Sequence, residues 1–263
     1  MTHVAPSVQR KPALIFSLMA QEPLKLKRKF NVFLPLALIV LFGFWAFILT
    51  TTTTFNQLDP TERDPRSLTL NMVQLGSLML PLLIGSYSLV ISSIDRKNRM
   101  LTRLQSLGTS AKEIMLIKSV WVSLVAFFGI AAVILATVQA SRSFNVPVLG
   151  NQLVVVVFAL LMETVALVPL FLHLALRLKH PGWVVGIALI GSVLGSAGHM
   201  IPQAVAIFIP FTLVGALSPV GVQEDSLLDH VLSLSDLGIV IIVTLVVATF
   251  SIVVVPRRFQ DEL

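Results

Sequence analysis

The chain contains no cysteine, which removes disulfides, thiolate metal sites and a thiol nucleophile at once. Charge is scarce as well. Asp, Glu, Lys and Arg make up 12% of its 263 residues, against about 25% in an ordinary soluble domain. No glycine is followed by lysine, so the G-x-x-x-x-G-K-[ST] loop that cradles nucleotide phosphates is missing. H-E-x-x-H, paired Glu-Glu and the G-x-S-x-G nucleophile elbow are missing too, and with them the usual hydrolase signatures. Polar stretches long enough for an added catalytic domain are also lacking. The chain is therefore not expected to be an enzyme, to hydrolyse ATP by itself or to bind a cofactor of its own.

What the chain does have is apolar length. Apolar residues make up 56% of it and gather in six segments, about 32–52, 68–93, 115–139, 152–176, 183–217 and 237–255. Runs of about twenty such residues cross a hydrocarbon core roughly 30 Å thick. The expected fold is an all-α integral membrane domain over 1–263 with six transmembrane helices. The fifth segment is too long for one span and is interrupted by Gly191, Gly195, Gly198, His199 and Pro202. It is either one span with a re-entrant or kinked extension, or two spans. Lys and Arg gather on the cytoplasmic side of membrane proteins, and this rule favours six. Sixteen basic residues then lie inside with both termini, and three, Arg63, Arg66 and Arg142, lie outside. A seventh span would move Arg257 and Arg258 outside. The net charge of +6 thus reads as membrane orientation and gives no reason to expect a nucleic-acid partner. Residues 196–235 form the re-entrant and outer loop region. Backbone that is not helical at membrane depth has to pack against protein or line a cavity. The first thirty residues, broken by Pro6, Pro12 and Pro23, do not resemble a cleavable signal, so the first run is expected to stay as a span.

Four places could carry function. Residues 1–31 are an inner segment in which Leu14, Ile15, Leu18 and Met19 share helical spacing before the basic run LKLKRK at 24–29. This suits either an amphipathic helix on anionic lipid or a simple topology-setting flank. In the inner segment 94–113, Met100, Leu101, Leu104 and Leu107 fall on one helical face edged by Arg99 and Arg103. Such a face needs a partner protein or the membrane surface. Gly108 would end that helix, with Thr109 or Ser110 capping the next. Glu163 falls near the middle of the fourth run, where an ionisable side chain costs about 2.5–3.5 kcal/mol. It is expected to be protonated or paired with His173 or His199, in a transport path or a buried structural hydrogen bond. Lastly, Gly182 with Gly186 and Gly191 with Gly195 have the spacing that lets helices approach closely. The outer carboxylates Asp59, Glu62, Asp64, Glu224, Asp225, Asp229 and Asp236 form either a solvated rim or a field for cationic ligands.

Three stretches resemble the permease subunits of ABC exporters of the lantibiotic-immunity and bacitracin-resistance type. They are EPLKLKRKFNVFLPLAL at 22–38, the basic inner segment with its LGTS turn at 107–110 and Lys118 beyond it, and FLHLALRLKHPGWVVGIALIGSVLG at 171–195. The chain departs from the family's pattern at Asp95, where Glu is frequent, and at Gly108, where Pro is frequent. The resemblance implies a bacterial plasma-membrane complex of two ATPase subunits with two permeases, identical or different. ATP and Mg would be bound by the ATPases, the 97–107 helix would be the coupling helix, and the substrate would be an amphiphilic antimicrobial peptide expelled for self-immunity or resistance. Two other readings compete: an ion-gradient-driven secondary transporter with Glu163 as proton relay, and a membrane enzyme or non-transporting assembly factor.

Overall fold

A computed structural model describes residues 33–56, 59, 63–97, 110–178, 180–223, 226–229 and 234–258, with backbone alone at 53–54, 96–97, 111, 199, 222–223, 226–229, 234–235 and 254–258. The expected amphipathic helix of 1–31 lies outside the described residues. The described residues form a mainly helical bundle with one short β-hairpin, and five of its helices are long and apolar enough to cross a membrane.

Helix α1, Phe33–Ile48, buries only Pro35, Phe42 and Ala46, a narrow stripe one face wide. Leu34, Val40, Phe44 and Trp45 are exposed, as suits a helix with hydrocarbon on most sides. It widens into a π-helical turn, Leu49–Phe55, where the Thr51 and Thr52 hydroxyls donate to the carbonyls of Phe47 (2.8 Å) and Ile48 (2.7 Å). Those bonds satisfy side chains that would otherwise be lone donors in an apolar medium.

Helix α2, Arg66–Lys97, is the axis of the bundle. Its entry is tied by Asp64, which accepts the Arg66 backbone N–H at 2.8 Å and the Arg66 guanidinium at 2.7 Å. The guanidinium holds that carboxyl below its ordinary range. In its most apolar window 72% of residues are buried, against 22% in α1. It packs against α1, α3 (Ala111–Ser143), α4 (Gly150–Arg177) and α5 (Pro181–Ser196). Helix α3 starts with a capping box in which the Ser110 hydroxyl accepts from Glu113 N and the Glu113 carboxylate accepts from Ser110 N, so Ser110 supplies the cap. Helix α5 begins with Pro181 at its first position, where the missing N–H costs nothing.

At 16 residues α5 is about 24 Å long, short of a roughly 30 Å hydrocarbon core. A second continuous helix does not follow. Instead come a 3-10 turn (Gly198–Met200), two single-turn helices, α6 (Gln203–Ala206) and α7 (Leu213–Ala216), and an antiparallel hairpin of β1 (Val220–Gln223) and β2 (Ser226–Asp229). Helix α8, Leu234–Arg258, closes the chain against α4 and α3. The turn region is packed inward: Ala206, Leu213, Val214 and Leu217 are fully buried. It is held by the Thr212 hydroxyl donating to the Ala206 carbonyl (2.6 Å) and Gln203 Nε2 donating to the Ala216 carbonyl (3.3 Å).

One contact sets how α5 meets α2. Pro81 lies inside α2 and has no N–H, so the carbonyl of Ser77, four residues earlier, loses its helical donor. Gly195 of α5 sits against that carbonyl: a Cβ there would lie 2.7 Å from both Ser77 O and Phe211 O. At Gly191 a Cβ would meet the Phe211 ring at 2.5 Å, and that ring stands edge-on to Phe171 at 6.0 Å. The second glycine pair is therefore a packing notch inside the subunit. The first is different, since a Cβ at Gly182 or Gly186 would meet nothing within 4 Å. A side chain at Gly195 would strike two backbone carbonyls that cannot rotate away. Gly195→Val is accordingly expected to cost at least the roughly 1–3 kcal/mol of overpacking, while Gly186→Val stays within about 0.5 kcal/mol. Thermal unfolding of the two purified variants in one detergent checks this, and equal losses would remove the notch from the account.

Candidate functional site

Charged side chains buried in apolar surroundings are the natural candidates, because each needs a reason to be there. The bundle has two such places among the described residues.

The first is at the α2–α3 hairpin. Asp95, two residues from the end of α2, forms an ion pair with Lys118 in the second turn of α3. Both are buried, at 1% and 0% exposure, so the charges neutralise each other in a site that water does not reach. The register of the two antiparallel helices places them together. Leu83 and Met79 face Gly129, and following the helices down from that level brings residue 95 opposite residue 118. The pair lies at the root of the connection between α2 and α3, about half a turn from where α2 ends and about two turns from the Ser110 cap.

The second is Glu163 on α4, fully buried. Its Oε2 accepts the backbone N–H of Val214 at 3.4 Å, and Oε1 has no hydrogen-bond partner among the described residues. Val214 is in the first turn of α7, where backbone N–H groups lack helical acceptors. Glu163 thus ties the broken region to a continuous span. The two places are far apart. Thr69 meets Gln152, Gly76 meets Leu160 and Gly85 meets Phe171, which levels Glu163 with about residue 78 of α2. Asp95 is about seventeen residues further on, roughly 25 Å at 1.5 Å per residue.

The histidines do not gather around Glu163. His173 is ten residues along the same helix, about 15 Å away, half buried and turned to the Ser251 backbone of α8. His180 is exposed ahead of α5. The backbone of His199 is in the 3-10 turn, and its side chain lies outside the described residues. So do Arg99, Met100, Leu101, Arg103, Leu104 and Leu107, the side chains of Arg257 and Arg258, and Glu62, Glu224 and Asp225. Among the described residues no group of three or more His, Asp or Glu side chains could hold a metal ion.

The Asp95–Lys118 pair is absent from the candidate residues read off the sequence, where Lys118 entered as a basic residue of a resembling stretch and Asp95 as a departure from the family's pattern. A signal was present: opposite charges at matching distances from one hairpin's tip. No family model, curated protein or solved structure matches this chain.

Removing one partner of a buried pair strands the other charge, which costs about 3–5 kcal/mol, whereas replacing both with apolar groups is often neutral. Lys118→Met and Asp95→Leu are each expected to lower the unfolding free energy by that amount, and the double variant to recover most of it; a double-mutant cycle in denaturant checks the coupling. At the second place, Glu163→Gln keeps an acceptor for Val214 and should change stability by less than about 1 kcal/mol. Glu163→Leu orphans that N–H, at about 1–3 kcal/mol, with faster amide exchange at Val214 as the local readout.

Proposed function

We propose that this chain is the membrane-spanning permease subunit of an exporter driven by a separate ATPase, and that it moves an amphiphilic antimicrobial peptide out of a bacterial plasma membrane. In this reading six spans place both termini in the cytoplasm, with α5 and the turns after it forming the fifth. Two ATPase subunits bind ATP and Mg, and two permeases, identical or different, form the path.

The observation that carries the reading is the hairpin root. The inner segment has an apolar face edged by arginines in the sequence, and it hangs between two long helices locked together by the buried Asp95–Lys118 pair. A push on the segment would be delivered to α2, which touches α1, α3, α4 and α5, so a small displacement would be felt throughout the bundle. A chain without a phosphate-binding loop has to import such a push. The similarity of 22–38, 107–118 and 171–195 to lantibiotic-immunity permeases supplies the nature of the partner and of the cargo; the acidic residues of the outer loops suit a cationic peptide.

A second reading has its own support. Glu163, with one carboxyl oxygen unpartnered among the described residues, would serve a secondary transporter as a proton relay. The two readings separate cleanly. Leu104→Asp is expected to abolish peptide protection of cells while leaving insertion and thermal stability unchanged, and the wild-type complex purified in detergent to contain an ATPase. Transport in ATPase-free vesicles driven by a proton gradient, abolished by Glu163→Gln, would replace the first reading with the second.

A further inference from the structure

The break after α5 leaves a recess against the first turns of α8. Gln203, Ala204, Ile207 and Phe208 line one side of it, Asp236 and Ile239 the other. Phe208 and Ile239 are exposed, so the recess opens to the outside of the bundle. Its depth follows from contacts already described. Glu163 of α4 meets the broken region and His173, further along, meets Ser251 of α8, so the two helices run in the same direction. Asp236 is fifteen residues before Ser251, which levels it with about residue 158 of α4, some 12 Å inside the end at Gly150. With 28 residues α4 is about 42 Å long, and it overhangs a roughly 30 Å hydrocarbon core by about 6 Å at each end. Asp236 therefore lies about 6 Å inside the hydrocarbon, in the leaflet on the side where α4 begins.

A carboxylate in a helix's first turn complements the positive end of the helix dipole, and it would do so as well in water. An ionisable side chain at hydrocarbon depth, beside an open recess, marks a place where polar cargo is handled. The lining decides the sign of that cargo. Ile207 and Phe208 donate their N–H groups to the carbonyls of Gln203 and Val205, both at 3.1 Å, but their own carbonyls accept no hydrogen bond among the described residues. The Gln203 side-chain nitrogen already donates to the Ala216 carbonyl. No lysine or arginine lines the recess. It thus combines one negative charge and two unengaged carbonyls with the apolar side chains of Ile207, Phe208 and Ile239. A bare metal ion would find a single carboxylate here and gain nothing from the apolar walls. We propose that this recess binds the ammonium or guanidinium group of a cationic amphiphilic peptide, with the apolar stem of that side chain against Phe208 and Ile239. The choice of a peptide rests on the exporter reading; the site is where a peptide lying in that leaflet meets the permease.

The test uses the full chain in phosphatidylcholine vesicles with two probes, dodecylamine carrying a diazirine at mid-chain and dodecanol built the same way. Crosslinks from the amine are expected at residues 203–208 and 236–239, about tenfold above those from the alcohol. Asp236→Asn removes the charge at nearly constant shape and should bring the amine down to the alcohol's yield, a loss of about tenfold. Ile239→Lys gives the recess an ammonium of its own and should exclude the amine to the same extent; it decides if Asp236→Asn lowers thermal stability. A short amphipathic peptide of leucine and lysine should displace the amine, and phosphatidylethanolamine added to the vesicles should not. Equal labelling by amine and alcohol would overturn the site, as would labelling that survives both substitutions. Displacement by phosphatidylethanolamine and not by the peptide would give the recess to a lipid headgroup and overturn it as well. The exporter reading fails separately, through the absence of an ATPase from the purified complex, and that result leaves the labelling pattern unchanged.

Discussion

Everything in this bundle answers to one constraint: inside hydrocarbon there is no water to accept or donate a hydrogen bond, so each backbone N–H and C=O must find its partner within the protein. Five long helices meet it along their own axes. The region after α5 cannot, because Pro202, Pro210 and the glycines around them interrupt the helical ladder. Its backbone groups are satisfied by tight turns, by the Thr212 and Gln203 side chains, and by Glu163 reaching across from α4. The break is tolerable only because the surfaces of α2, α4 and α5 are shaped to cover it.

The same constraint explains the notch at Gly195. A proline in the most buried helix leaves a carbonyl without its helical donor, and the neighbouring helix comes close enough at a glycine to cover it. A larger residue there would separate the helices and leave the carbonyl facing an apolar gap. Pro81, Gly195 and Phe211 therefore form one unit, although they lie far apart in the chain.

The buried charges follow a different logic. In a low-dielectric interior a lone Lys or Asp is far costlier than in water, while a neutralising pair is tolerable and adds little net stability. Asp95 and Lys118 are more informative as a geometric statement than as glue: they fix the register of α2 against α3 at the end where the two helices are joined. Glu163 serves the bundle differently, as an acceptor for backbone that has lost its helix.

Composition and run length alone determined a mainly helical chain with several runs long enough to cross a membrane, and the glycines and prolines of 183–217 marked where a span breaks. Those features depend on residue type and on separations within one element, which a linear pattern carries. The tertiary structure decided which glycine pair is a contact, that Glu163 meets Val214 and lies well away from His173, and that Asp95 and Lys118 are one buried pair. Each of these depends on how helices are rotated and slid against one another. A shift of one residue turns a side chain by about 100°, and packing across the whole bundle sets that angle.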